Sequence, residues 1–487
     1  MFGDNMPERN GHMMENNKIF KYNRYLSPLD VWAISFGCTI GWGAFIMPGS
    51  TFLPAAGPLG TLIGIAVSAA VMLIIGANVA FLMRHNPGTG GIYSYTKEAL
   101  GRKNAFVCAW FLTLSYLAVL LVNAISLFTV IRTVFGGVLQ TSFRSYTIAG
   151  NVISLGEVGA SMIALACVGL LFINAKPLLQ HLQTILALLL LAGVLVVAVF
   201  CVPHLGSFSG FIAEGGSFGI QGNSNFQAVL SIVMLTPLIF FGFESASLET
   251  VHFKFKVKRS RWIIVLSLLL SGLVYMALTL ISVSTTPDGY ASWQAYIADL
   301  GQLSGLPSIP TFFAAKTIMG DTGLYVIAFA ALAAILTGMI AAYRATTRML
   351  ATMGENEILS GDFQKTNHSI MIIMVIAILI SILGKDLIDC FLDLAALGAV
   401  IVFFYTSVSA WRLARKSSCR LAAISGALGT IASVIFAAVT VSSKLTAVEI
   451  KSNKVLLMLA LWCLIGFVFY LVTVVRRRAA RPVEAES

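Results

Sequence analysis

Apolar residues are grouped along the chain into long runs that are separated by short polar stretches. Twelve runs can be distinguished, at approximately 29 to 51, 59 to 83, 105 to 131, 157 to 173, 182 to 202, 228 to 249, 262 to 283, 323 to 347, 370 to 383, 388 to 411, 421 to 441 and 455 to 475. Most of them reach the roughly 20 residues that a helix needs to cross a bilayer. The pattern predicts an all-α polytopic membrane protein with twelve spans. The ninth run is short enough to be a buried or re-entrant helix instead.

The composition agrees with a membrane environment. The chain has 487 residues, of which 58% are hydrophobic and 11% are charged, and its mean hydropathy is +0.88. The polar N-terminal tail has no basic stretch leading into a short apolar run, so no removable signal peptide is expected. The seven cysteines are dispersed and no histidine is near the middle of a run. Neither a disulfide framework nor a metal site is predicted, and no cofactor is expected.

Positive charge is unevenly distributed between the two sides of this twelve-span arrangement. Most of the 32 lysines and arginines lie in the tails and in loops that share one side. The positive-inside rule then places both termini in the cytoplasm, with the protein in the cell (inner) membrane. Loop topology and contact with the headgroups of membrane lipid account for the net charge of +11, and nucleic acid is not expected as a partner.

Two runs carry residues that weaken a helix. Residues 37 to 49 read GCTIGWGAFIMPG, and residues 236 to 247 read TPLIFFGFESAS. Glycine and proline both destabilise a helix interior, and unwound backbone inside a bilayer persists only where it lines protein or a watery cavity. The runs are five apart, so the two segments cross the membrane in opposite directions. Discontinuous helices in matching positions of inverted halves indicate the central binding site of a transporter.

Two other patterns have simpler explanations. GTLIG at 60 to 64 has the small residues four apart that allow two membrane helices to approach closely. GGSFG at 215 to 219 matches the GxSxG pattern of hydrolases, but Ser217 lies in a glycine-rich loop without the strand, helix and histidine base that a nucleophile elbow requires. We interpret the first as a packing signal and the second as a chance match, so an enzyme is not predicted.

Five segments resemble those of the amino acid, polyamine and organocation transporters. GCTIGWGAFIMPG resembles the signature of their first helix, and FFGFESASLE resembles their sixth helix. NPGTGGIYSYTKEALGRKNAFVCAW resembles their amphipathic inner loop and third helix, TTRMLATMGENEILS the end of their eighth helix, and AALGAVIVFFYTSVSAWRLARK their tenth helix. The resemblance extends over nearly the whole chain.

The resemblance implies the leucine-transporter fold and alternating access to a central site. The first five-helix repeat would occupy 28–202 and the second, inverted repeat 226–411, followed by helices 11 and 12 at 421–475. Residues 1–27 and 476–487 would form cytoplasmic tails. The resemblance leaves a monomer and a homodimer open.

It also implies which residues contact a small-molecule substrate. Backbone amides at the first break would hold its carboxylate, and carbonyls at the second would hold its amino group. The residues expected to bind substrate are Thr39, Gly41, Trp42, Gly43, Tyr116, Phe240, Phe241, Gly242 and Phe243. Thr337 occupies a position where sodium-coupled relatives often carry a hydroxyl that helps to bind the ion.

The chain departs from the family pattern in ways that affect coupling and specificity. Trp42 stands where a serine or threonine is common, so its indole would narrow the site. Many members carry a lysine near Ala187, but the run at 182 to 202 has no ionisable residue. Glu244 is the only acid expected near the bilayer midplane, where an ionisable group is costly and usually functional. We therefore expect Glu244 to carry proton coupling. Glu249 has Lys254 and Lys256 close in sequence and is expected to form a solvated ion pair.

The sequence thus predicts a secondary active transporter for amino acids or related amines, working by proton-coupled symport or by substrate exchange. A sodium-coupled amino acid symporter and a polyamine or organic cation transporter are the alternatives. A channel would need a continuous polar pore or a repeated filter sequence, which this chain lacks.

Overall fold

The computed structural model describes residues 24 to 88, 90 to 135, 145 to 148, 151 to 206, 216, 218 to 222, 224 to 359, 361 to 442 and 453 to 479. Ser217 of the GGSFG pattern lies outside these residues, as do the first 23 residues of the N-terminal tail and the end of the C-terminal tail.

Helices dominate the described part of the chain. The α-helices are α1 (Pro28–Thr39), α2 (Gly43–Met47), α3 (Leu53–His85), α4 (Gly91–Leu100), α5 (Arg102–Phe135), α6 (Leu155–Asn174), α7 (Lys176–Cys201), α8 (Asn225–Met234), α9 (Thr236–Ile239), α10 (Ser260–Ser282), α11 (Trp293–Ala298), α12 (Pro310–Glu355), α13 (Thr366–Ser381), α14 (Ile388–Lys416), α15 (Arg420–Ser442) and α16 (Asn453–Ala479). A π-helical turn spans Pro48–Phe52, and a long 3₁₀ segment spans Phe243–His252. Short 3₁₀ turns span Val202–His204, Val257–Arg259, Leu300–Gln302, Leu306–Ser308, Gly361–Gln364 and Lys385–Leu387.

The described residues form nine helices that are long and apolar enough to cross a membrane, or ten if one bent pair is a single span. That pair joins Asn225–Met234 to Thr236–His252 at an angle of 41°. The twelve predicted runs exceed this number because α1 has only 12 residues before its break and α13 has only 16. The described part of the chain is therefore that of a predominantly helical membrane protein with nine or ten candidate spans by length and composition.

One short hairpin departs from the all-α prediction. Strand β1 (Ser145–Ile148) pairs antiparallel with strand β2 (Asn151–Ser154), with Ser145 opposite Ser154. The two strands contain Thr147, Ile148, Val152 and Ile153, and β-branched residues of this kind favour extended backbone. The two strands have four residues each and include polar side chains, so they do not form an apolar run.

The helix α1 lies in the middle of the bundle. It packs against α7, α10 and α12, and α12 in turn packs against α5 and α7. Phe36, Ala33 and Val31 are completely buried in these contacts. The helices around α1 therefore hold its C-terminal end away from the protein surface.

Local signals set the limits of α1. Ser27 and Asp30 form a capping box at its start, in which the Asp30 N–H donates to Ser27 Oγ at 3.3 Å and the Ser27 N–H donates to Asp30 Oδ2 at 2.9 Å. The helix ends at Thr39 because Ile40 has extended backbone, with φ −102° and ψ 109°. A new helix, α2, begins at Gly43. The break that the sequence predicted in this segment is therefore present.

The second predicted break is present as well. The helix α9 ends at Ile239, and the chain then turns through Phe240 to Gly242 before the 3₁₀ segment begins. Gly242 has a φ of +113°, a conformation that residues with a side chain rarely adopt. This glycine allows the left-handed backbone conformation that ends one helical segment and begins the next within the span.

The GTLIG segment packs closely as expected. A Cβ atom at Gly64 would lie only 2.5 Å from Cβ of Ile232, so the glycine lets α3 approach α8. This contact holds the first half of the bent pair against α3.

Candidate functional site

The two broken segments meet in the interior of the bundle. A Cβ atom at Gly242 would lie 2.7 Å from both the carbonyl carbon and the carbonyl oxygen of Cys38. The Ser35 hydroxyl donates to the Phe243 carbonyl at 2.8 Å. Any side chain at position 242 would push the breaks apart, so glycine is required there for the close approach as well as for its positive φ.

The helix α12 closes the opposite side of α1. A Cβ atom at Gly37 would lie 2.8 Å from Cβ of Thr337, which places Thr337 directly beside the first helix. Its hydroxyl donates to the carbonyls of Ala333 at 2.8 Å and Ala334 at 3.0 Å. The hydroxyl of Thr39 similarly donates to the Ser35 carbonyl at 2.9 Å. Each hydroxyl keeps its oxygen lone pairs as potential acceptors, and the ion-binding role of Thr337 stays a prediction.

Asn123 occupies the first break. Its Oδ1 accepts a hydrogen bond from the Trp42 N–H at 3.1 Å, while its Nδ2 donates to the Val119 carbonyl at 2.9 Å. Cβ atoms at Gly41 and Gly338 would lie 2.8 Å and 3.0 Å from this amide. The Asn123 side chain therefore lies between Gly41 and Gly338, which leave room for it, and binds the backbone just before α2. The Trp42 N–H was one of the amides expected to bind a substrate carboxylate, and Asn123 is its partner here.

One further amide at this break, that of Gly43, is available to a ligand. The N–H groups of Ala44 and Phe45 donate to the carbonyls of Gly41 and Trp42 at 3.1 Å and 3.0 Å. Among the described residues, no hydrogen-bond partner is found for the N–H of Gly43. A Cβ atom at Gly43 would have only Met47 Sδ nearby, at 3.6 Å. This backbone position thus combines an available donor with open space, as a ligand contact requires.

Glu244 lies at the second break and is completely buried. Its Oε1 accepts from the Tyr116 hydroxyl and its Oε2 accepts from the Gly242 N–H, both at 3.0 Å. The Tyr116 contact suits either protonation state, because a phenol can donate to a carboxylate or accept from a carboxylic acid. The Gly242 contact is preserved in both states. This carboxyl group can therefore gain or lose a proton without losing its partners.

The carbonyl groups of the second break are not equivalent. The Gly242 carbonyl accepts from the Ser245 N–H at 3.0 Å. No partner is found within the described residues for the carbonyls of Phe240 and Phe241. Of the three carbonyls expected to receive a substrate amino group, these two are the ones with unused capacity.

Tyr116 and Asn123 belong to the same helix, α5. They are seven residues apart, or nearly two turns, and so lie on one face. Tyr116 contacts the second break and Asn123 contacts the first. A single helix therefore contacts both breaks.

Aromatic rings surround the two breaks. The Tyr116 and Phe241 ring centroids are 4.9 Å apart. The ring centroid of Phe403 in α14 lies 6.5 Å from that of Phe241 and 6.0 Å from that of Phe243.

At the first break, the Trp42 indole packs edge-on against the Phe312 ring of α12, with the ring centroids 6.4 Å apart. Phe240 differs, because its ring tip faces Gly272 of α10.

The structure thus brings the predicted residues together and adds three that the sequence analysis did not select, namely Asn123, Phe312 and Phe403. Asn123 had a usable signal, since an amide inside an apolar run is costly without a partner. The two phenylalanines had none, because aromatic residues are common in spans and their contacts are formed between distant segments.

The expectation for Glu249 is wrong. Its side chain is 5% exposed, and its Oε2 lies 3.9 Å from Nε2 of His252. The 3₁₀ segment turns both groups into the protein, where the sequence suggested an exposed pair with nearby lysines.

Among the described residues, no group of three or more His, Cys, Asp or Glu could hold a metal ion.

The chain is similar to several transporters of known name. It is 26% identical to the branched-chain amino acid permease BcaP of Bacillus subtilis over 311 residues, which are 59% of this chain and 63% of that protein. It is 24% identical to the methylthioribose transporter of Bacillus subtilis, covering 71% of this chain and 70% of that one. It is 23% identical to the vacuolar cationic amino acid transporter 4 of Arabidopsis thaliana, covering 80% and 62%. The matched part therefore spans just under two thirds of the first and third relatives.

A solved structure has a similar fold. The manganese transporter of Eremococcus coleocola superposes with a TM-score of 0.54 over 93% of this chain and 94% of that one, at 14% sequence identity. This similarity supports the leucine-transporter fold. The sequence profile of the amino acid permease family matches residues 26–475. The chain is a multi-pass membrane protein and belongs to the amino acid permease family.

Proposed function

We propose that this permease is a secondary active transporter that moves amino acids or related amines across the cytoplasmic membrane by alternating access. The observation that carries the proposal is the meeting of two broken helices, where the Gly43 N–H has no partner among the described residues and the space at the Cβ position of Gly43 is open. Backbone donors of this kind, at the positive end of a half-helix, suit a carboxylate.

We further propose twelve spans arranged as two inverted five-helix repeats followed by two helices, with both termini in the cytoplasm. In this arrangement α1 with α2 forms the first span and α13 forms the ninth. The matched breaks in the first and sixth spans support the repeat, and the lysine and arginine distribution supports the orientation.

Glu244 with Tyr116 is our candidate for proton coupling. The carboxyl group is buried, has partners in both protonation states, and lies at the second break. It can therefore exchange a proton as the cavity opens to each side. The rival is sodium coupling near Thr337, which lies against the first helix at Gly37.

The side chains that surround the two breaks indicate the class of substrate. Apart from Glu244, the side chains around the breaks are mainly aromatic, which favours a substrate with a neutral, apolar side chain. The relatives are named for branched-chain amino acids, cationic amino acids and methylthioribose. A substrate panel that includes all three classes therefore tests which substrate side chain is accepted.

Uptake by purified protein in sealed vesicles tests the function. We expect saturable uptake of at least one neutral amino acid from a panel of amino acids, polyamines and methylthioribose. Uptake should increase under an inward proton gradient and should not respond to a sodium gradient alone. Non-saturable flux would indicate a channel, and uptake of polyamines without amino acids would favour the organic cation alternative.

Gly43→Val tests the first break. A Cβ atom fits at this position, so the variant should fold, but a β-branched side chain would fill the space beside the Gly43 N–H. We expect substrate affinity to fall at least about tenfold, or ~1.4 kcal/mol, in a binding assay on folded protein. Gly159→Val is the matched control, because nothing lies within 4 Å of that position. Equal affinity in both variants would exclude Gly43 from the site.

Asn123→Asp tests whether Asn123 Oδ1 occupies the place of a substrate carboxylate. A negative charge beside the Trp42 N–H should repel the substrate carboxylate and weaken amino acid binding by about tenfold or more. Asn104→Asp is the matched control on the same helix, since Nδ2 of Asn104 also donates to a carbonyl four residues earlier, that of Leu100. If the Asn123→Asp variant binds amino acids as tightly as the wild type, Asn123 lies apart from the carboxylate.

Glu244→Gln tests proton coupling. Glutamine can accept from the Gly242 N–H and donate to Tyr116 oxygen, so it imitates the protonated acid. The variant should bind substrate but lose the dependence of uptake on the proton gradient. Glu249→Gln, which changes another buried acid of the same segment, should retain that dependence. An unchanged response in Glu244→Gln would assign coupling elsewhere and direct attention to Thr337.

A further inference from the structure

A groove between α5 and α16 lies apart from the two breaks. It has a volume of about 360 Å³ and is lined by aromatic and aliphatic side chains together with one cation, Lys103. Val107 is 37% exposed and Phe467 is 57% exposed on its two sides. The groove therefore opens on the outer surface of the bundle, where the hydrocarbon of the bilayer would be.

The floor of the groove is formed mainly by aromatic rings. Trp110 stacks on Trp462 with the ring centroids 4.5 Å apart, and its Nε1–H donates to the Trp462 carbonyl at 3.0 Å. Phe106 packs on Tyr470 at 5.5 Å. Gly466 lets the helices meet, since a Cβ atom there would overlap Trp110. An aromatic floor of this kind suits an acyl chain.

Lys103 places a positive charge at one end of the groove. Lys103 and its neighbour Arg102 are exposed in the first turn of α5. The helices α5 and α16 are antiparallel, because Trp110 contacts Trp462 while Phe106 contacts Tyr470. The last turn of α16, which contains residues 476 to 478, all arginine, is therefore at the same end as Lys103.

We propose that this groove is a binding site for an anionic phospholipid, with an acyl chain on the aromatic floor and the phosphate at Lys103. Charge complementarity favours this occupant over a zwitterionic lipid, because each basic residue near a membrane surface is worth on the order of fivefold in affinity for anionic lipid. The aromatic floor suits the acyl chain of such a lipid, and Lys103 at the end of the groove suits its phosphate.

Native mass spectrometry of protein extracted from vesicles of equal parts phosphatidylglycerol and phosphatidylcholine tests the proposal. We expect phosphatidylglycerol to be retained preferentially through delipidation. Lys103→Glu should reduce this preference on the order of fivefold or more, and Val107→Trp should reduce retention by filling the groove.

Two matched controls separate the site from general surface effects. Lys176→Glu makes the same charge change at an exposed lysine that begins α7. Val199→Trp places the same indole on the exposed face of α7, where Val199 is 69% exposed. Both should retain phosphatidylglycerol as the wild type does. Equal retention of the two lipids by the wild type, or an unchanged preference in Lys103→Glu, would overturn the proposal. So would a dimer that Val107→Trp dissociates without lipid preference, because the occupant would then be a second copy.

Discussion

The fold depends on satisfying backbone groups that two helix breaks expose where no bulk water is available. Lipid hydrocarbon offers no hydrogen bonds, so each exposed N–H or carbonyl must find a partner inside the protein or in a ligand. Asn123 accepts a hydrogen bond from the Trp42 N–H, and Glu244 accepts one from the Gly242 N–H. Such bonds contribute only about 0.6 to 2 kcal/mol within membranes. Close glycine packing, as between Gly242 and Cys38, must therefore hold the breaks in place as well.

The breaks were predictable from the sequence, whereas their partners were not. Glycine and proline weaken a helix locally, so a run such as GCTIGWGAFIMPG indicates a break without knowledge of the rest of the fold. The partner of Trp42 is 81 residues away in sequence. The rings of Phe312 and Phe403 come from helices still further along the chain. These contacts arise only when the helices pack. Glu249 shows the same limit, because its burial depends on the direction in which a 3₁₀ segment turns.

The number of spans shows a different limit. Hydropathy detects an apolar run whether or not its helix is continuous, so α1 and α2 were predicted as one segment. A length criterion on the structure treats α1 as too short, because the break divides it. The β-hairpin was not predicted, because its alternation of polar and apolar residues extends over only four residues in each strand. The discrepancies arise at a helix break and in a connection between helices, where the local sequence pattern carries least information.

The two breaks differ in the chemistry of the side chain that serves each one. The Asn123 amide carries no charge at any physiological pH, whereas the Glu244 carboxyl group can change its charge while keeping both partners. Both contacts involve one face of α5, through Asn123 and Tyr116. A substrate that displaces the Asn123 side chain would act on the same helix that holds Tyr116 against Glu244. A coupling between binding and protonation requires an element that both sites bias. The helix α5 contacts both sites, so we expect it to be that element.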